Sequence, residues 1–126
     1  MNEIEQKLND LKLVYVGGID ARTKDTFKAL DPVNYFYKGD VPILPDLLKA
    51  EDGRSFYPAF TSMAQVPEQY KHFFLWQAMP FHEFCQFALH STICHEVILD
   101  PFTSSLILPE AAVEKYAEEK PSNQVQ

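Results

Sequence analysis

Phe56-Tyr57-Pro58-Ala59-Phe60-Thr61-Ser62 is the stretch whose reading decides the fold. Asp52-Gly53 stands just before it, and Asp-Gly between extended runs is a strong hairpin signal. Residues 55–61 therefore return as a strand from a turn at 50–53, against an extended run at 41–48. Side chains alternate across a strand, so Phe56, Pro58 and Phe60 share one face and Tyr57, Ala59 and Thr61 the other. Both faces are largely apolar, which suits an interior strand, although Pro58 removes one backbone donor. Pro42 and Pro45 bar a regular ladder along the partner run.

Upstream, Ile4, Leu8 and Leu11 recur at helical spacing over residues 2–11, and Asn2 with Glu5 fits a capping box. Leu13-Val14-Tyr15-Val16 reads as a strand stopped by a turn at Gly17-Gly18. The glycine pair is no phosphate loop, because no Lys-Ser/Thr follows it. Residues 21–30 fit one polar helix whose large apolar contacts are Phe27 and Leu30, ended at Asp31-Pro32. Tyr35-Phe36-Tyr37 is a short strand before a turn at 38–40.

Downstream, Ser62-Met63-Ala64-Gln65 matches a capping box, and Pro67 suits a first helical turn. Residues 73–78 form the next strand. From Met79-Pro80 a helix runs to about His90, with Phe81, Phe84, Cys85 and Ala88 at i, i+3, i+4, i+7. Residues 96–100 and 105–108 read as a second hairpin around a Pro- and Ser-containing loop. Pro109 opens a last helix over 110–119, ended by Pro121. The expected organisation is one domain over residues 1–121 with a frayed polar tail at 122–126. Its class is α+β: a mainly antiparallel, five- or six-stranded sheet with helices packed against it.

From Phe56 to Pro109 the chain resembles the N-terminal domain of the bacterial SseB family. The resemblance rests on Pro58-Ala59-Phe60-Thr61-Ser62 after a Gly-containing turn, the apolar strand and helix that follow, and Val97-Ile98-Leu99-Asp100-Pro101. Related sequences usually carry Asn-Pro where this chain has Asp100-Pro101. The first 40 or so residues share only the order of elements. The resemblance implies a small α+β module with a binding or regulatory role and no enzyme activity, and it transfers no site residues.

Composition narrows the class of function. Eighteen acidic against eleven basic residues give a net charge of −7, and the two arginines, Arg22 and Arg54, lie far apart. Nucleic-acid modules present a basic face, so nucleic acid is not the expected partner. Two cysteines do not make a disulfide scaffold in 126 residues. The polar, acidic start is unlike a signal peptide, and no apolar run spans a bilayer. A cytoplasmic protein with reduced thiols, off the membrane, is the expectation.

Six possible metal ligands, His82, Cys85, His90, Cys94, His95 and Glu96, crowd one segment. A tetrahedral zinc site needs them to converge, yet helical geometry puts Cys85 on the apolar face and His90 nearly opposite its centre. Cys94 and His95 would point to opposite faces of a strand, which disfavours a thiolate–imidazole pair. Cys85 reads as a small core residue, Ser62 as a helix cap and Asp100-Pro101 as turn chemistry. No cofactor is expected. Ten Phe and six Tyr supply more rings than a thin core readily hides, among them Tyr35, Phe36, Tyr37, Tyr57, Trp76 and Phe102. Aromatic anchors dominate interface energetics, so Tyr57 and Trp76, on or beside the central hairpin, are the candidate partner-binding residues. The expected function is non-enzymatic binding of an unidentified protein partner or of a second copy. The alternative is a metal-binding or hydrolytic protein built on the segment from His82 to Glu96.

Overall fold

The computed structural model describes residues 2–118. The expected tail at 122–126, and the last residues of the expected domain and final helix, lie outside the described residues. Asn2 caps α1 (Glu3–Asp10), its side-chain oxygen accepting the Glu5 N–H at 2.8 Å. The chain then enters β1 (Leu13–Asp20), which runs straight through Gly17 and Gly18, where a turn was expected. The glycines serve close packing. A Cβ at Gly18 would lie 2.4 Å from the Leu44 carbonyl oxygen, and one at Gly17 would lie 2.9 Å from the Trp76 ring. Glycine inside a strand often marks such an approach.

The helix expected over 21–30 is replaced by two 3₁₀ turns, Ala21–Thr23 and Phe27–Ala29. Two apolar contacts do not make the stripe that holds a surface helix to a core. Asp20 instead draws the backbone and guanidinium of Arg22 into a local turn, at 2.9 and 2.7 Å. A third turn, Pro32–Asn34, leads into the hairpin of β2 (Phe36–Lys38) and β3 (Val41–Pro45). The expected long arm over 41–48 is then divided. At Asp46, whose N–H bonds the Gly17 carbonyl at 3.1 Å, the chain leaves the first sheet and forms β4 (Leu48–Lys49) against β5 (Ser55–Ala59) in a second.

The capping box expected at Ser62 does not form. A 3₁₀ turn, Met63–Gln65, has no side-chain cap, and Gln65 instead accepts the Thr103 hydroxyl at 2.7 Å. After it come α2 (Glu68–Lys71), β6 (Leu75–Pro80), α3 (Phe81–His90), the hairpin of β7 (Val97–Leu99) and β8 (Leu106–Leu108), and α4 (Glu110–Ala117).

The protein is one small α+β domain with two four-stranded sheets, ordered β2-β3-β1-β6 and β4-β5-β7-β8. They replace the single five- or six-stranded sheet expected. The first is antiparallel throughout, whereas the second has a parallel pair, β5–β7, at its centre. Parallel strands need a long crossover, and α2, β6 and α3 supply it. β5 is thus an interior strand, as its two apolar faces predict. Tyr15 and Phe60 exchange both backbone bonds, at 2.8 and 2.9 Å, and tie β1 to the end of β5.

These bonds explain how an interior strand tolerates Pro58. The Tyr57 N–H reaches the Glu96 carbonyl beside β7, so the neighbouring Pro58 nitrogen faces the opposite edge. On that edge β4 pairs with β5 at Ser55 and Phe56, β1 takes over at Phe60, and no ladder bond is required between them. The core lies on the face where α3 places Phe81, Phe84, Cys85 and Ala88, all buried, as their spacing predicts. Val14, Val16, Tyr57, Ala59, Val97 and Leu99 meet them from the strands, and Val113 and Tyr116 from α4.

Candidate protein-binding surface

The opposite face of the strands carries no long helix, and aromatic side chains cover it. Residues paired directly across a ladder share a face, so Tyr15 places Phe60 and Ala78 on this side, and Gly17 places Trp76 there. Gly17 leaves the space the Trp76 ring fills. α2 and the turn after it bring up Tyr70 and Phe74, and the β7–β8 turn brings up Phe102. Ring centroids lie 5.6 Å apart for Phe60–Trp76, 4.7 Å for Tyr70–Phe74 and 5.1 Å for Tyr70–Phe102. Such tilted and edge contacts each add about 0.5–1.5 kcal/mol beyond the area they bury.

Two polar contacts hold the cluster in place. The Tyr70 hydroxyl donates to the Asp46 carboxylate at 2.6 Å, and the Trp76 indole N–H donates to the Lys71 carbonyl at 3.0 Å. Burial and the Asp46 bond raise the Tyr70 pKa, so the hydroxyl stays a donor through the physiological range. The base of the cluster is closed, with Phe60 at 0% exposure. Its rim is open: Phe102 is 48% exposed, and Phe73, in the turn beside Phe74, is 74% exposed. Beside Phe102, Thr103 lines a groove of about 720 Å³ between α1 and the β7–β8 turn, with Leu8, Leu11, Leu99 and Leu106 among its walls.

The two expected partner-binding residues separate. Trp76 is half-buried within this cluster, while Tyr57 is 2% exposed on the α3 side. The Tyr57 hydroxyl shares a 2.8 Å bond with Ser91, and the Ser91 hydroxyl donates to Asn34 at 3.0 Å. Tyr57 is a core residue and offers no surface to a partner. The alternation that put it on an apolar face did not say which face α3 would cover. Phe60, Tyr70 and Phe74 were not singled out from sequence, although Tyr70 and Phe74 stand i, i+4 apart and Gly17 opposite a tryptophan is itself a packing signal.

The His/Cys segment is dispersed by its own secondary structure. Cys85 is in the core at 0% exposure, its thiol pushed up to about 12 by burial. Burial also raises the Cys94 thiol, which points at the carbonyls of Ser55 and Glu96, at 3.1 and 3.3 Å. The His95 ring bonds the Ser91 carbonyl at 2.7 Å and lies 3.5 Å from Glu110. His90 closes α3 on its exposed side. Among the described residues, no three His, Cys, Asp or Glu side chains gather to hold a metal ion. Asp100 belongs to architecture as well. At φ +48° it turns β7 into β8, and its carboxylate accepts the Thr61 N–H and hydroxyl at 2.8 and 2.7 Å.

Among the described residues no helix is long and apolar enough to cross a membrane. No curated protein and no solved structure matches the chain. A family model does, and its match extends well upstream of the stretch from Phe56, into the part of the chain that resembled the family only in the order of its elements. With residues 16–115 matched by the SseB protein N-terminal domain, the chain belongs to the SseB family.

Proposed function

We propose that the chain is a non-enzymatic, cytoplasmic bacterial module that binds protein through the aromatic surface around Trp76. One observation carries the reading: Phe102 stays exposed at the rim of a ring cluster whose base is closed, and Phe73 is exposed in the turn beside Phe74. Scattered apolar residues are normal on a surface, but grouped aromatics on a rigid base have the anatomy of an interface hot spot. The base holds the rings in place before contact, so little conformational entropy is lost on binding. The groove beside Thr103 gives a partner's apolar side chain a place to insert.

The test is affinity capture with wild-type bait beside a Phe73→Ser, Phe102→Ser double variant of unchanged circular dichroism. Both side chains are at least half outside the packed cluster or close to it, so the fold should tolerate the change. A partner held by the wild type should be lost by the variant, with affinity down at least about tenfold for two removed anchors. Equal capture by both baits would remove the surface from consideration.

A further inference from the structure

The first sheet ends on β6, and this edge differs from the other three. β2 spans three residues and carries Lys38; β4 spans two and ends at Lys49; β8 spans three, between Ser105 at φ +52° and Pro109. Short length, lysine and proline are the usual devices that stop a strand edge from pairing with another chain. β6 is six residues long, Leu75-Trp76-Gln77-Ala78-Met79-Pro80, and carries no charge in a chain of net charge −7. None of its residues is buried, and Ala78 is exposed.

The bonding pattern shows which groups this edge presents. Tyr15 spends both backbone groups on Phe60, so its pairing with Ala78 on the other side is a non-hydrogen-bonded one. By alternation, Leu75, Gln77 and Met79 bond inward to β1, while the N–H and C=O of Trp76 and Ala78 point out. We propose that β6 pairs antiparallel with β6 of a second copy, joining two first sheets across a two-fold axis. The pairing uses the backbone edge of the strand that carries Trp76 and leaves the Phe102 ring free, so it goes beyond the protein-binding reading above.

Symmetry restricts the register. A two-fold axis normal to the sheet keeps each face on its own side, so paired residue numbers share parity. Centring on Gln77 pairs Trp76 with the partner's Ala78 and Leu75 with the partner's Met79. Every outward donor and acceptor of Trp76 and Ala78 is then used, in four backbone bonds across the axis. Pro80, which has no N–H, falls just outside the ladder. The large indole sits beside a methyl group, Leu75 covers Met79, and no like charges face each other.

Sedimentation velocity over a concentration series tests the pairing, with hydrogen exchange on the same samples. The wild type should form a reversible dimer, and the Trp76 and Ala78 amides should exchange more slowly as it forms. Gln77→Lys and Gln77→Glu each place like charges across the axis and should weaken the dimer at least about tenfold. An equimolar mixture of the two should restore it, which also shows that both variants fold. Phe102→Ser, off the strand, should dimerise as the wild type does whatever becomes of the capture experiment. The proposal is overturned by a wild type that stays monomeric throughout, or by a dimer unaffected in both Gln77 variants. Protection of the two amides only on addition of a different protein would equally overturn it.

Discussion

Gly17 and Gly18 look alike in the sequence and do different work. The Cβ missing from Gly18 would strike the Leu44 backbone carbonyl, which is fixed by the β1–β3 ladder. The one missing from Gly17 would press on the outer edge of the half-buried Trp76 ring, a side chain and not backbone. Gly18→Ala should therefore destabilise by about 2 kcal/mol or more, Gly17→Ala by about 1 kcal/mol or less. Urea unfolding of the two variants checks the order. If Gly17→Ala is the worse of the two, the indole is held more rigidly than its exposure suggests. Nothing local in the sequence separates these glycines, because each contact comes from a residue more than 25 positions away. What was legible was their cost to a strand, and it was misread as a stop signal.

At the scale of elements, α3 was the most legible, and for a simple reason. Its apolar residues repeat at the helix period for about two turns, so one face is specified without knowing what it meets. Cys85 belongs to that face. Its thiol ionises near its ordinary value in the unfolded chain and only at about 12 when folded. Between those values the unfolded state has released a proton that the folded state still holds, so stability falls as pH rises. The slope from this one group approaches about 1.4 kcal/mol per pH unit at most. Cys85→Ala should flatten the decline relative to wild type in urea titrations between pH 9 and 11, chosen as about the middle of that range. An unchanged slope would assign the alkaline loss to other groups, Tyr57 and Tyr70 first, since burial raises both hydroxyls. Elements marked by neither periodicity nor a turn signal were not legible. The polar run at 21–30 has helix-compatible residues but no stripe, and tertiary context made it two separate turns.

For the whole molecule, class and order of elements follow from sequence, while sheet count does not. The division into two sheets falls at Asp46, whose N–H bonds the Gly17 carbonyl before the chain forms the two-residue β4. Neither leaves a compositional mark. The two sheets are nevertheless joined by the Tyr15–Phe60 bridge and by α3, which packs on strands of both. They should unfold together. Trp76 fluorescence reports the first sheet, and far-ultraviolet circular dichroism reports the whole domain. The two denaturation curves should coincide in midpoint and slope. Curves with separate midpoints would show that the bridge does not couple the sheets.

The parallel pairing of β5 with β7 also sets the order in which a new chain can close. Tyr57 and Val97 are 40 positions apart, so the centre of the second sheet has no partner until the C-terminal hairpin has been synthesised. β1 and β6 are by then available to each other, with the β2–β3 hairpin alongside. The β1–β6 pairing spans more chain, 57 positions between Gly18 and Leu75, so the order follows from synthesis and not from loop length. During translation every strand of the first sheet is therefore complete while one edge of β5 still lacks its partner, and the second sheet can close only after Leu99 has been added.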